Sequence, residues 1–283
     1  MTIRQEILKL ERDTKRRDAL VRKVVSTLNG AEDDLVREMR GQFGWIARAG
    51  YDSSGRTLNG VEKGLLQVDD LLRQAYRGVE TDLRSGLLRL GKDEIGHQQQ
   101  ILAVNGRDLL KPDGKFMSNL LANVPFRGGR LRDWMIRLTD NAMQRIEGAI
   151  RGRLAAKLPI EDVIRAVIGT RALQYADGAT EPGRNELAKL TNQATAFTTR
   201  KAREEVWSVN KAVVEAVEWV AVGDGAKCPL EPDTCEDRDG MLYTADTHEP
   251  IGHDMPWLEG PGLAHWGCRC VAIPVLRADE EAA

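Results

Sequence analysis

Over the first 218 positions the apolar residues recur at spacings of three and four, the period of helices that pack on one side. The spacing predicts a helix over 3–28, from Ile3, Ile7 and Leu10 to Leu20, Val21, Val24, Val25 and Leu28, stopped by Asn29-Gly30. A short helix over 31–40 would turn Leu35, Val36 and Met39 inward. The most regular stripe lies at 60–90, where Val61, Leu65, Val68, Leu72, Ala75, Val79, Leu83 and Leu87 follow one face. A shorter helix is expected over 94–104. The glycine-rich stretch 41–59 reads as a loop, or a loop around a short helix, whose Phe43, Trp45 and Tyr51 plug one end of a bundle or, as the alternative, form a docking surface. Pro112-Asp113-Gly114, Pro125 and Gly128-Gly129 interrupt the pattern between 105 and 130. Helices are then expected over 131–158, 160–176 and 185–218, with Pro159 suited to a first helical turn.

From Trp219 the pattern changes. Short strands are expected at 219–222, 241–243 and 269–275, joined by a long polar, proline-containing excursion. Asp239-Gly240 suits a tight hairpin turn. The expected fold class is mainly α: an elongated helical body followed by a small α+β C-terminal module clipped by Cys and His. The expected segments are an N-terminal helical region 1–130, a helical domain 131–218, a Cys/His module 219–276 and an acidic tail 277–283.

Charge changes this picture only through its distribution. The chain has 41 basic and 43 acidic residues, yet the stretch from Asp224 to the end has 4 basic and 13 acidic ones. A mildly basic body therefore precedes an acidic module, which predicts an oriented contact with a charged partner. Glycines inside helical text (Gly60, Gly64, Gly78, Gly86, Gly91 and Gly96) each cost a helix up to about 1 kcal/mol relative to Ala. Such helices need tertiary or partner contacts. No run of 18 apolar residues is present, so no membrane span is expected. The opening MTIRQEILKLERDTKRRD is too charged for a signal peptide, and synthesis in a reducing cytoplasm is expected.

The candidate chemistry is confined to the last quarter. Cys228, Cys235, Cys268 and Cys270 are the four cysteines, and His248, His253 and His265 are three of the four histidines. A polar loop of this length cannot order itself by apolar burial, so it needs a clip. Zinc held by thiolates and imidazole is the first candidate, favoured over disulfides by a reducing compartment. Disulfides and free buried thiols are the alternatives. Cys228, Cys235, His265, Cys268 and Cys270 give five candidate ligands for four tetrahedral positions. His248 and His253 read as surface histidines.

The order Trp219, Asp224, Cys228-Pro229, Cys235, Asp239-Gly240, His265, Cys268-Arg269-Cys270 resembles the C-terminal signature of the phage Mu F-like head morphogenesis (minor head, or minor capsid) proteins. The closing His-x2-Cys-Arg-Cys is its most specific part. The chain departs from that pattern in having Cys-x6-Cys for Cys-x2-Cys, and Trp266 where the family has Pro. The helices over 131–218 follow the family's order, whereas residues 1–130 match nothing in it. The resemblance implies a structural virion component acting in head morphogenesis at the portal vertex or inner capsid surface, assembled in the bacterial host cytoplasm. Its implied partners are the phage portal protein and the major capsid protein, with a role in DNA delivery.

Two alternatives remain open at this stage. Lys15-Arg16-Arg17 and Arg127, Arg130, Arg132 and Arg137 are basic clusters that a DNA-associated internal virion protein would turn to packaged double-stranded DNA. Their ordinary reading is a solvated helix face. A metal- or thiol-dependent hydrolase would use Cys268 with His265, or a base such as Glu249, Asp254 or Glu259. The chain has no His-Glu-x-x-His and no deaminase pattern, and a thiolate-rich set is typical of structural metal. The expectation is therefore no enzyme.

Overall fold

The structure is a computed structural model that describes residues 15–52, 55–103, 108–221, 228, 233–268 and 270–277. The first part of the expected helix 3–28 lies outside these residues, as does the tail from 278 onward. Helices α1 (Lys15–Asn29), α2 (Glu32–Ala49), α3 (Gly55–Leu102), α4 (Phe116–Asn123), α5 (Leu131–Ala155), α6 (Ile160–Ile168) and α7 (Glu181–Val209) come first. A 3-10 turn, Arg171–Leu173, lies between α6 and α7. Strands β1 (Val214–Val220), β2 (Leu242–Thr244), β3 (Pro250–Ile251) and β4 (Val271–Leu276) follow. The chain is thus mainly α with a small C-terminal sheet, as the periodicity implied. No helix among the described residues is long and apolar enough to cross a membrane.

By backbone packing the chain divides into two units, one of Met1–Asp18, Gly86–Phe126 and Asn192–Ala283, the other of Ala19–Ser85 and Arg127–Thr191. In the second unit, Leu35, Met39, Phe43 and Ile46 of α2 meet Val61, Leu65, Val68 and Leu72 of α3. Ile146, Ile150 and Leu154 of α5, and Val163 and Val167 of α6, complete that core. The stretch 41–49, read as a loop or a loop around a short helix, is helical, because Phe43 and Ile46 continue the inward face of Leu35 and Met39. Two expected helices, 60–90 and 94–104, are one element of 48 residues. The glycines that weakened the prediction have a packing role. A Cβ on Gly60 would lie 2.4 Å from the Trp45 ring, and one on Gly64 would lie 2.5 Å from Phe43. Those two positions let α2 approach the α3 backbone, whereas Gly96 faces open space.

In the first unit the helix expected to reach 218 stops at 209. The Asn210 side chain donates to the Val206 carbonyl at 2.7 Å and to the Leu110 carbonyl at 3.0 Å. It also accepts from the Leu110 N–H at 2.7 Å. With the helix ended, Val214–Val220 pairs with a strand on each side, and tertiary pairing overrides the valine spacing that had suggested more helix. The sheet order is β3-β2-β1-β4, all antiparallel. Register sets Val217 opposite Tyr243 and Pro274, and Trp219 opposite Ala272. Both faces near its centre are covered. Val217, Trp219 and Tyr243 pack with Trp207 and Trp257, while Val220, Val271 and Ile273 pack on Ile101 of α3. Asp239-Gly240 is not a strand-to-strand hairpin, since β1 and β2 are joined by a connection of some twenty residues. Instead it closes a turn in which the Met241 N–H donates to the Arg238 carbonyl.

The glycine contacts give a signed expectation. Gly64→Ala should cost about 1–3 kcal/mol through overpacking against Phe43, despite alanine's better helix propensity. Gly96→Ala should leave stability unchanged or raise it by up to about 1 kcal/mol. Urea unfolding of the two variants reads both, and equal shifts would refute the packing role.

Candidate metal centre

The two long connections of the sheet meet at the cysteines. Cys235 opens the turn after β1, and Cys268 ends the segment that leads into β4. Their Sγ atoms are 3.9 Å apart and both residues are buried. Two groups of side chains converge here, Cys228 with Cys235 and His265, and Cys235 with Cys268 and Cys270. Within each group the donor atoms lie within 4.8 Å of one another. All five residues marked by sequence are therefore in these groups, and Cys235 belongs to both. All four cysteines are free thiols.

A tetrahedral zinc with Zn–S bonds of about 2.3 Å sets its sulfurs about 3.8 Å apart. The Cys235–Cys268 separation of 3.9 Å fits that spacing. Backbone N–H groups point at two of the sulfurs. The Cys235 N–H donates to Cys228 Sγ at 3.3 Å, and the Gly262 N–H donates to Cys268 Sγ at 3.3 Å. Contact with the Cys270 thiol pulls the Cys268 thiol well below its usual range, against burial, with backbone N–H groups and His265 adding to the effect. Burial first, and then the negative charge on Cys268, push Cys235 up. His265 Nδ1 lies 3.0 Å from the Trp266 carbonyl. A carbonyl only accepts, so Nδ1 carries the hydrogen and Nε2 keeps the lone pair a metal would use. These residues are positioned to hold a metal ion. Among the described residues neither group includes a carboxylate.

The supports of the site gave no signal in the sequence. Arg238, 1 % exposed, donates to the carbonyls of Asp233, Thr234 and Pro256. It thereby ties the turn bearing Cys235 to the loop bearing Trp257, with its guanidinium 5.6 Å from the Trp219 ring centre. On α7, Arg200 pairs with Glu204 at 2.7 Å, both buried, and donates to the Pro261 carbonyl at 3.1 Å. It thus holds the turn whose Gly262 N–H reaches Cys268. Charged residues are ordinarily solvated, so nothing in the sequence separates Arg200, Glu204 and Arg238 from surface charge.

His248 and His253, expected at the surface, are packed. His248 stacks on Trp257 with ring centres 4.5 Å apart and sits 3.7 Å from Glu204. Burial lowers its pKa. His253 meets Tyr243 edge to face at 4.9 Å and bonds the Leu242 carbonyl at 2.9 Å. Trp257 positions His248 by their stacking, while its ring is buried against Trp219 and Tyr243. Comparison of the chain with family models, with curated proteins and with solved structures finds no match.

Burial alone would raise the Glu204 pKa, but Arg200 and then Lys201 outweigh it and hold the carboxylate below its ordinary value. Glu94, paired with Arg203 at 2.6 Å, behaves alike. A depressed carboxylate contributes stability that is complete above the unfolded value of about 4.3 and is lost as pH falls through the lower folded value. The urea midpoint should therefore decline below about pH 4.3 on account of these carboxylates, after a first fall that begins near about 6.5 because buried His248 resists protonation. Glu204→Gln, which strands a buried guanidinium, should cost about 3–5 kcal/mol at neutral pH and shallow the acid decline. An unaltered acid limb in that variant would refute the assignment.

Proposed function

We propose that the chain is a structural minor head protein of a tailed phage, in which a zinc-clipped C-terminal module is carried on a helical body. The observation that carries this reading is the meeting of Cys228, Cys235 and His265 with Cys268 and Cys270 as two three-residue groups that share Cys235, beside one small sheet. These are the side chains that make the sequence resemble the head morphogenesis proteins. The zinc identity rests on the donor set. Thiolate sulfur with imidazole suits a soft, tetrahedral ion, and a site without carboxylates is unsuited to magnesium or calcium. When bound, the ion supplies folding free energy to a module whose connections have little regular structure of their own.

In this reading the module is architectural. Its thiols and His265 bind metal and perform no catalytic step. Within the particle the chain acts during head assembly, against the portal and major capsid proteins, and lies near packaged double-stranded DNA. It works in the virion head after assembly in the host cytoplasm. The small sheet, held by metal at one end and by Trp219, Tyr243 and Trp257 at its centre, gives the rigid end such a docking protein needs.

Protein purified under reducing conditions should contain one zinc per chain, measured by elemental mass spectrometry. Its thiols should react only after chelation. Cys268→Ser should lose the metal and expose 233–268 to protease while the helical circular dichroism persists. Metal-free protein with four reactive thiols would remove the clip. The role in the particle is tested separately, by co-expression with the portal and major capsid proteins of the same phage. The chain should sediment with the assembled shells, and recovery only in the unassembled fraction would overturn the head assignment.

A further inference from the structure

An open cleft of about 430 Å³ runs between α3 and α5, within one unit of the chain. Arg73, Arg77 and Arg84 line it from α3, and Arg132 from α5. Arg73 is neutralised by Asp69 at 2.8 Å and Asp140 at 3.2 Å. Arg77, Arg84 and Arg132 are exposed and have no ion-pair partner among the described residues. Arg77 and Arg84 are two helical turns apart, about 10 Å along the axis. Three unpaired guanidinium groups that share one cleft repel one another, and an acidic occupant would relieve that repulsion.

The rest of the cleft distinguishes between occupants. Ile136, 47 % exposed, lies in the wall beside the arginines, and Glu80 interrupts them. A phosphate strand favours an uninterrupted basic track. Arginine around an apolar contact, with a carboxylate at its side, has the composition of a protein interface. The chain itself carries a fitting surface. Within residues 228–277, Glu236, Asp237, Glu249 and Asp254 are exposed carboxylates, while exposed Asp246 is paired with Lys211. Of the bases described there, Arg238 is buried, which leaves Arg277.

We infer that this cleft receives the acidic face of the C-terminal module of a second copy of the chain. The contact is head to tail: a basic cleft on one copy meets a carboxylate surface on the next. Such an interface leaves one cleft and one acidic face free on every pair, so it either closes into a ring or extends.

Two charge-reversed full-length variants test this: R77E/R84E/R132E in the cleft, and E236K/E249K/D254K on the module. Sedimentation velocity should show the wild type associating at about 0.02 M salt and at least about tenfold more weakly at about 0.5 M. Each variant alone should be monomeric, since each has lost one half of the contact. Mixed together they should associate again, because the intact face of the cleft variant meets the intact cleft of the module variant, and the reversed cleft and reversed face are once more of opposite sign. Circular dichroism verifies the fold, and R77Q/R84Q/R132Q reads the same loss if reversal unfolds the chain. The inference is overturned by a monomeric wild type at low salt, by association that neither variant changes, or by a mixture that stays monomeric. Cleft-dependent binding of a 20-base-pair DNA duplex without self-association would also overturn it and assign the cleft to nucleic acid.

Discussion

The C-terminal module depends on one meeting of two loops. The connections from β1 to β2 and from β3 to β4 each run for close to twenty residues, with no helix or strand among those described. Segments of that length inside a compact unit do not hold themselves by backbone pairing. They touch where Cys235 and Cys268 come within 3.9 Å. A metal ion held there would close both loops at once, and its binding free energy would become folding free energy.

Around that point the supports are polar and buried, which is costly unless every group is used. Arg238 directs its guanidinium to three carbonyls on two different loops. Arg200 satisfies Glu204 with one side and Pro261 with the other. A buried pair of this kind contributes little net stability against an apolar alternative, but removing one partner is expensive. Its effect is to fix position. Gly262, whose N–H faces Cys268, follows directly from the carbonyl that Arg200 holds. The aromatic group of Trp219, Tyr243 and Trp257 does the same by area and shape on the sheet.

The helical unit works by the opposite means. Its core is aliphatic, with Phe43 as the large plug, and its closest approach is made by absence of a side chain at Gly60 and Gly64. Charge stays outside, and where it is left unpaired, at Arg77, Arg84 and Arg132, it faces an open cleft. In the C-terminal stretch from Asp224, by contrast, acidic residues outnumber basic ones.

The sequence by itself determined the helical class, the inward faces of α2, α3 and α5, and the five residues that gather at the candidate metal centre. Periodicity and residue type are local properties, so they are legible without a fold. Only the tertiary structure decided where α7 ends, because Asn210 needs Leu110, a hundred residues away, to complete its bonds. It also decided that Phe43 lies in a helix, that Gly60 and Gly64 are contacts rather than weaknesses, and that Arg200, Glu204 and Arg238 are interior. Each of these depends on a partner distant in sequence, and the cost of a buried charge or a missing Cβ is set by what surrounds it.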